Sequence, residues 1–174
     1  MRSAPSLTDE LRVGRRALDG VAGVELLDEV FWDPAEHCWV LPLRLRADSS
    51  GSRIPEWTEW YVLIAEHYPW GRIDIYPAKK GGIEDTYPHQ SLNRPGPAVR
   101  PWREGRLCLQ TGLVSFGLRA RPEEPRSPEA RLAWHVASAR EWLETAARGQ
   151  LLASGHAFEL PDLPTDGSLQ VVFL

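Results

Sequence analysis

The chain has 174 residues, of which 43% are hydrophobic and 25% charged, and its formal net charge is −4. This length suits one domain with a sizeable core, because a chain of about 150 residues buries roughly 70% of the surface exposed on unfolding. The negative charge argues against a general nucleic-acid-binding protein, and no apolar run reaches the roughly 20 residues that span a bilayer. We therefore expect neither nucleic acid nor a membrane as a partner.

The first predicted element is a helix near the N-terminus. Ser6 or Thr8 can cap it, since a hydroxyl there accepts a hydrogen bond from a free N–H of the first turn. Asp9 suits the positive end of the helix dipole. Gly20 and Gly23 end the helical pattern.

Four strand-like runs follow, at residues 24–32, 38–45, 57–66 and 72–76. The second run alternates, with Trp39, Leu41, Leu43 and Leu45 on one face. Short polar or proline-containing links join the first three runs, and such links favour antiparallel neighbours. The pattern predicts a four-stranded antiparallel meander.

Residues 77–126 hold no sustained period of 2 or 3.6, and Pro and Gly recur throughout. A long irregular stretch inside a compact domain is typical of a functional site held by a rigid scaffold. A second helix follows it, with Ser127 as the cap and Pro128 in the first turn. Its predicted buried stripe ends before Gly149 and consists of Leu132, Val136, Ala139, Leu143 and Ala146.

Cys108 is the main catalytic candidate, and it lies in the irregular stretch. A free cysteine is most often a buried small hydrophobe. Here, however, the surrounding sequence is basic, and positive charge favours the nucleophilic thiolate. The arginines concerned are Arg94, Arg100, Arg103, Arg106, Arg119 and Arg121. Cys38 falls in an alternating strand, so we expect it to be structural.

His89 is the second candidate, as a base or as a residue that orders its loop. The other histidines are scattered and lack metal-ligand spacing, so we expect no metal site. Gly81-Gly82 lacks the Lys-Ser/Thr of a phosphate-binding loop, so we expect no nucleotide cofactor. Two cysteines in a chain without a signal-peptide core indicate reduced thiols and a cytoplasmic protein.

The order of these elements resembles the ubiquitin-conjugating enzymes, over roughly residues 6–160. The resemblance is carried by Gly105-Arg106-Leu107-Cys108-Leu109, which matches the family's Gly-x-x-Cys-Leu, and by the preceding Tyr87-Pro88-His89. The family's His-Pro-Asn is replaced here by His89-Gln90-Ser91, which leaves Asn93 as the stand-in for the family's asparagine. The implied fold is α+β, with an N-terminal helix, a four-stranded antiparallel meander, an irregular active-site loop and a C-terminal helix.

The C-terminal part is similar to the bacterial branch of this family. The similarity lies at residues 131–135, 141–143, 149–151 and 158–161. In that branch the conjugating domain is often fused to a ubiquitin-activating-type adenylation domain and serves cyclic-oligonucleotide anti-phage defence. The resemblance implies a conjugating-like domain at 1–160 and a tail or linker at 161–174, where the apolar run 169–174 would be an edge strand or lead into a missing domain.

The implied mechanism makes Cys108 the carrier of a protein C-terminus as a thioester, with His89 and Asn93 as helpers and an amine, such as a lysine, as acceptor. The implied partners are an adenylation domain and either a protein modifier or the C-terminus of a nucleotidyltransferase. Three alternatives stay open. They are a catalytically silent binding module of the same fold, a conjugating enzyme of another bacterial ubiquitin-like system, and a cysteine hydrolase that uses His89 and Cys108.

Overall fold

The computed structural model describes residues 5–48, 51–109 and 124–151. Within these residues the elements follow a helix–sheet–helix order, which confirms the predicted α+β class. They are α1 (Asp9–Arg16), β1 (Val24–Leu26), β2 (Phe31–Asp33), β3 (Cys38–Arg46), β4 (Trp57–Ala65), β5 (Ile73–Pro77) and α2 (Pro128–Ala147). Neither helix in this part of the chain is long and apolar enough to cross a bilayer.

Both helices begin at the predicted caps. The Thr8 hydroxyl accepts from the N–H of Leu11, and the Ser127 hydroxyl accepts from the N–H of Ala130, each at 3.3 Å. These bonds satisfy backbone donors that have no partner inside the helix. α2 ends at Ala147, and Gly149, two residues further on, has a φ of 67°, in the left-handed region that favours glycine.

The sheet is antiparallel, with the order β1-β3-β4-β5, and β2 also pairs with β3. The predicted single strand at 24–32 is therefore wrong in one respect, because it is two short strands along the same edge of β3. Pro42 explains the break. Its carbonyl accepts from the N–H of Leu27 at 3.0 Å, so it faces this edge, but proline has no N–H to return the bond.

One face of the sheet carries the main core. β3 contributes the four predicted side chains from Trp39 to Leu45, and these lie opposite Ile64, Val62, Trp60 and Thr58 of β4. The predicted stripe of α2 is buried in the same cluster, as is Leu11 of α1. The prediction of both buried faces is confirmed.

The other face of the sheet is partly covered as well. Val40 and Cys38 pack with Trp102, which comes from the irregular stretch, and the Tyr61 and Trp102 rings lie 5.5 Å apart. The irregular stretch therefore crosses from the end of β5 over part of this face. β3 is therefore buried on both faces along part of its length, which explains why apolar residues also occupy positions such as Val40 on the face away from the main core.

A buried polar network fixes the N-terminal end of α2. Arg131 donates to the carbonyls of Pro69 and Gly71 and to the carboxylate of Glu124, while His135 Nε2 lies 2.8 Å from the same carboxylate. Burial lowers the pKa of His135, although Glu124 opposes the effect. The network ties α2 to the turn between β4 and β5.

The domain boundary after residue 160 and the predicted edge strand at 169–174 lie outside the described residues, as do Arg119 and Arg121.

Candidate functional site

Cys108 lies on a short extended segment next to the edge of the sheet. The N–H of Leu107 donates to the carbonyl of Ile75 in β5 at 3.0 Å. Leu107 and Leu109 are buried, whereas Cys108 between them is partly exposed. The two leucines therefore anchor the segment, and alternation turns the thiol away from the core.

The His89 loop lies directly beside this segment. The N–H of Cys108 donates to the carbonyl of His89, and the N–H of Ser91 donates to the carbonyl of Arg106, both at 2.9 Å. These two bonds flank an antiparallel bridge between Gln90 and Leu107. The structure thus brings together the two segments that the sequence singled out.

His89 has an unusual backbone and a buried side chain. Its φ is 59°, in the left-handed region that non-glycine residues seldom adopt, and the residue is 9% exposed. Strain of this kind persists only where the surroundings hold it. The hydrogen bond to Cys108 is made by the His89 carbonyl, so the loop holds the cysteine segment through its backbone.

Asn93 is buried behind the site and all its amide atoms are engaged. Its Nδ2 donates to the carbonyls of Ile83 and Asp85 at 2.9 and 3.0 Å. Its Oδ1 and its carbonyl both accept from the guanidinium of Arg103, at 3.0 Å. Because a side-chain amide has two hydrogens, Asn93 has none left for an oxyanion in this conformation.

Gly105, the first residue of the motif, fits against two buried amides. A Cβ at this position would lie 2.5 Å from Asn93 Oδ1 and 2.6 Å from Gln90 Nε2. Gln90 Nε2 also donates to the Gly105 carbonyl at 3.0 Å, and Gln90 Oε1 accepts from the N–H of Tyr87. The glycine of Gly-x-x-Cys is therefore required by space, and the Gln that follows His89 is part of the same packing.

The basic residues near Cys108 in sequence have specific partners. Arg100 pairs with Glu36 at 2.5 Å, and Arg106 approaches Asp74 at 3.4 Å. Arg103 is bound to Asn93, as described above. Carboxylates therefore partly offset the charges of Arg100 and Arg106, which weakens the sequence-based expectation of a strongly basic cysteine environment for these two residues, whereas Arg103, bound to a neutral amide, keeps its full charge.

Cys38 has the environment of a structural thiol. Burial raises its pKa to about 12, and the nearby carboxylates of Asp33 and Glu36 add to the effect. A thiol with this pKa is only about one part in ten thousand thiolate at pH 8, and the thiolate is the reactive form.

We expect iodoacetamide at pH 8 to modify Cys108 more than tenfold faster than Cys38 in the folded protein. The reason is that Cys108 is partly exposed while Cys38 is buried with a raised pKa. Peptide mass spectrometry over a time course measures both rates. Cys108→Ala should remove the fast phase, and faster labelling of Cys38 would contradict the prediction.

Sequence reasoning missed the residue that joins the helix to this loop. Trp142, on α2, donates its indole N–H to the carbonyl of Pro88 at 3.1 Å. Its ring also meets Tyr87 edge-on, with centroids 6.1 Å apart. The spacing of α2 predicted Leu143 as a core residue, but no local pattern indicated which loop the neighbouring Trp142 would contact.

The described residues contain no group of three or more His, Cys, Asp or Glu side chains that could hold a metal ion. The arrangement instead offers one accessible thiol on a strand-like segment, braced by a loop and a helix. Such a thiol can form and release a covalent acyl bond.

No known protein-family model matches the chain. Over 121 residues the chain is 30% identical to the ATP-dependent ubiquitin transferase-like protein Cap2 of Enterobacter hormaechei subsp. hoffmannii (strain UCI 50). The match covers 70% of this chain and 20% of that protein. By sequence, the chain is therefore related to a bacterial ubiquitin transferase-like protein, over a region that amounts to about one fifth of that protein's length.

Proposed function

We propose that this chain is a ubiquitin-conjugating-like acyl carrier that holds a protein C-terminus as a thioester on Cys108. The observation that carries the proposal is the placement of Cys108: partly exposed between two buried leucines, with its backbone bonded to the His89 loop. The similarity to an ATP-dependent ubiquitin transferase-like protein supports the broader part of the proposal, a role like that of ubiquitin transferases.

The reaction has two acyl transfers. In the first, the Cys108 thiolate attacks the carbonyl carbon of a protein C-terminus activated as an acyl adenylate, the C–S bond forms, and AMP leaves. In the second, an amine, such as a lysine side chain, attacks the thioester carbonyl. An amide bond forms, the amine loses a proton to the medium, and Cys108 is released as a thiolate.

In this proposal His89 and Asn93 take no part in the chemistry, and they hold the loop beside Cys108 in place. His89 presents its carbonyl to the Cys108 N–H, and Asn93 holds the loop through Ile83, Asp85 and Arg103. Stabilisation of the oxyanion by N–H donors can contribute a few kcal/mol to such reactions. Because both hydrogens of the Asn93 side-chain amide are already donated to backbone carbonyls, we propose that the N–H donors to the oxyanion come from residues other than Asn93.

The proposed partners follow the family resemblance. The acyl donor is a ubiquitin-activating-type adenylation domain, either separate or fused to this chain in a longer protein. The acyl group belongs to the nucleotidyltransferase that makes a cyclic-oligonucleotide signal in anti-phage defence, or to the modifier of another bacterial ubiquitin-like system.

The test is to incubate the chain with its activating partner, ATP and the candidate modifier. We expect an adduct on a non-reducing gel that dithiothreitol removes, because thiols cleave thioesters. Cys108→Ala should abolish the adduct, while Cys38→Ala should retain it. Adduct formation by Cys108→Ala would overturn the proposal.

The same experiment separates the competing functions. A silent binding module would form no adduct even when the partner adenylates the modifier, as measured by ATP–pyrophosphate exchange. A cysteine hydrolase would cleave a peptide or ester without ATP or a partner. His89 is only 9% exposed, and it contacts Cys108 through its backbone carbonyl. Both observations favour the acyl carrier over a Cys-His hydrolase.

A further inference from the structure

We propose that Trp142 is a positioning residue for Cys108, acting from helix α2 through the backbone of the His89 loop. The inference rests on the proposed function for its catalytic meaning, but its structural part is independent of that function. The link has three steps, from the indole to Pro88, from Pro88 to His89, and from His89 to Cys108.

The first step is the hydrogen bond from Trp142 to the loop. The indole N–H donates to the Pro88 carbonyl at 3.1 Å. Trp142 is 3% exposed, and its ring lies edge-on to Trp60 and Tyr87, with centroids 6.2 and 6.1 Å away. A buried ring held on two sides gives a fixed donor, and the rigid helix behind it sets where the Pro88 carbonyl lies.

The second step is the conformation of the next residue. The peptide plane that contains the Pro88 carbonyl also contains the N–H of His89. A hydrogen bond to that carbonyl therefore constrains the orientation of the peptide group that leads into His89. His89 has a φ of 59°, which a β-carbon disfavours. The loop therefore needs external contacts to keep this shape, and the Trp142 bond is one of them.

The third step reaches the nucleophile. The His89 carbonyl accepts the N–H of Cys108 at 2.9 Å, so a shift of His89 displaces the segment that bears the thiol. Gln90 closes the loop on the other side through Tyr87 and Gly105. Small displacements of a reacting group slow catalysis strongly, because the geometry of attack is demanding.

The chain supplies a matched control for Trp142. Trp60 is also fully buried, lies in the same aromatic stack, and donates its indole N–H to Thr58 at 2.8 Å. Its hydrogen bond stays within β4 and does not reach the His89 loop. Trp60→Phe therefore removes one indole hydrogen bond and part of a buried ring, keeps a six-membered ring beside Trp142, and leaves the hydrogen bonds from Trp142 to Pro88 and from Cys108 to His89 in place.

The experiment compares Trp142→Phe with Trp60→Phe in the whole chain. Amide hydrogen exchange, followed by NMR, should be about fivefold faster at Cys108 in Trp142→Phe than in the wild type, as expected for the loss of one hydrogen bond. Trp60→Phe should leave the Cys108 amide within about twofold of the wild type after correction for any change in global stability. With the activating partner present, kcat for thioester discharge should fall about tenfold in Trp142→Phe, while KM stays the same.

Equal effects of the two variants on the Cys108 amide would overturn the proposal, since Trp142 would then act only through general stability. If Trp142→Phe does not fold, benzothienylalanine at position 142 replaces the N–H by sulfur with little change of shape, and the same exchange result is expected. If the wild type forms no thioester, the proposed function fails, while the exchange rates still decide the positioning role.

Discussion

Gly105→Ala should displace the loop that supports Cys108 while leaving most of the fold intact. A Cβ at this position meets Asn93 Oδ1 at 2.5 Å and Gln90 Nε2 at 2.6 Å, distances well below van der Waals contact. Both amides are buried and hydrogen bonded, so neither can retreat without breaking bonds. We expect a loss of about 1–3 kcal/mol in the free energy of unfolding, as for other overpacked sites.

The effect on Cys108 should be larger than the effect on stability. The loop that must move includes Gln90, whose neighbour His89 holds the Cys108 N–H. We expect thioester formation to fall by more than about tenfold, measured with the activating partner, and the amides of residues 89–93 to lose protection from exchange.

Gly20→Ala is the control for the added methyl group. Gly20 has a φ of 74°, and a Cβ added there would have no atom within 4 Å, so the change costs only backbone strain of about 1–2 kcal/mol. Thioester formation should be unchanged in this variant. Normal loading by Gly105→Ala would show that the close packing behind the motif is not needed for the site.

Arg131→Met should be among the most destabilising single changes in α2. The guanidinium is buried and donates to Pro69, Gly71 and Glu124, and methionine keeps the apolar stem without any donor. Two carbonyls then lose this donor and the Glu124 carboxylate loses the guanidinium while keeping its contact with His135, a change that costs about 3 kcal/mol at a buried site. The measurement is urea unfolding, with the midpoint lowered at a constant m value.

Arg140→Met on the same helix is the matched exposed control. Arg140 donates to the Ala22 carbonyl at 3.0 Å and approaches Glu144 at 3.9 Å, and its side chain is 37% exposed. Exposed pairs of this kind contribute at most about 1 kcal/mol. Similar losses in both variants would mean that the Arg131 network adds no more than a surface contact.

Local patterns predicted most of the elements. Caps and periodicity placed both helices, and alternation placed β3 and its buried face, because these signals depend on residues a few positions apart. The failure at residues 24–32 has a long-range cause. The break depends on Pro42 in the partner strand, and the residues of β1 and β2 do not show the register that places Leu27 against Pro42.

The site was predictable in part for the same reason. The motif singled out Cys108 as the candidate nucleophile, and the structure added that Leu107 and Leu109 are buried on either side of it. The role of Asn93 was not accessible, because it depends on carbonyls of Ile83 and Asp85 and on Arg103, which meet Asn93 only when the loop folds back on itself.

By itself, then, the sequence determined the helices, the central strands and the identity of the candidate nucleophile. The tertiary structure decided what surrounds that nucleophile: Trp142 over Pro88, the His89 carbonyl on the Cys108 N–H, and two amides against Gly105. The physical reason is the separation along the chain of the residues that interact. Propensity and periodicity act between near neighbours, whereas each of these contacts joins residues 12 to 54 positions apart, as set by the packing of α2 and the irregular stretch against the sheet.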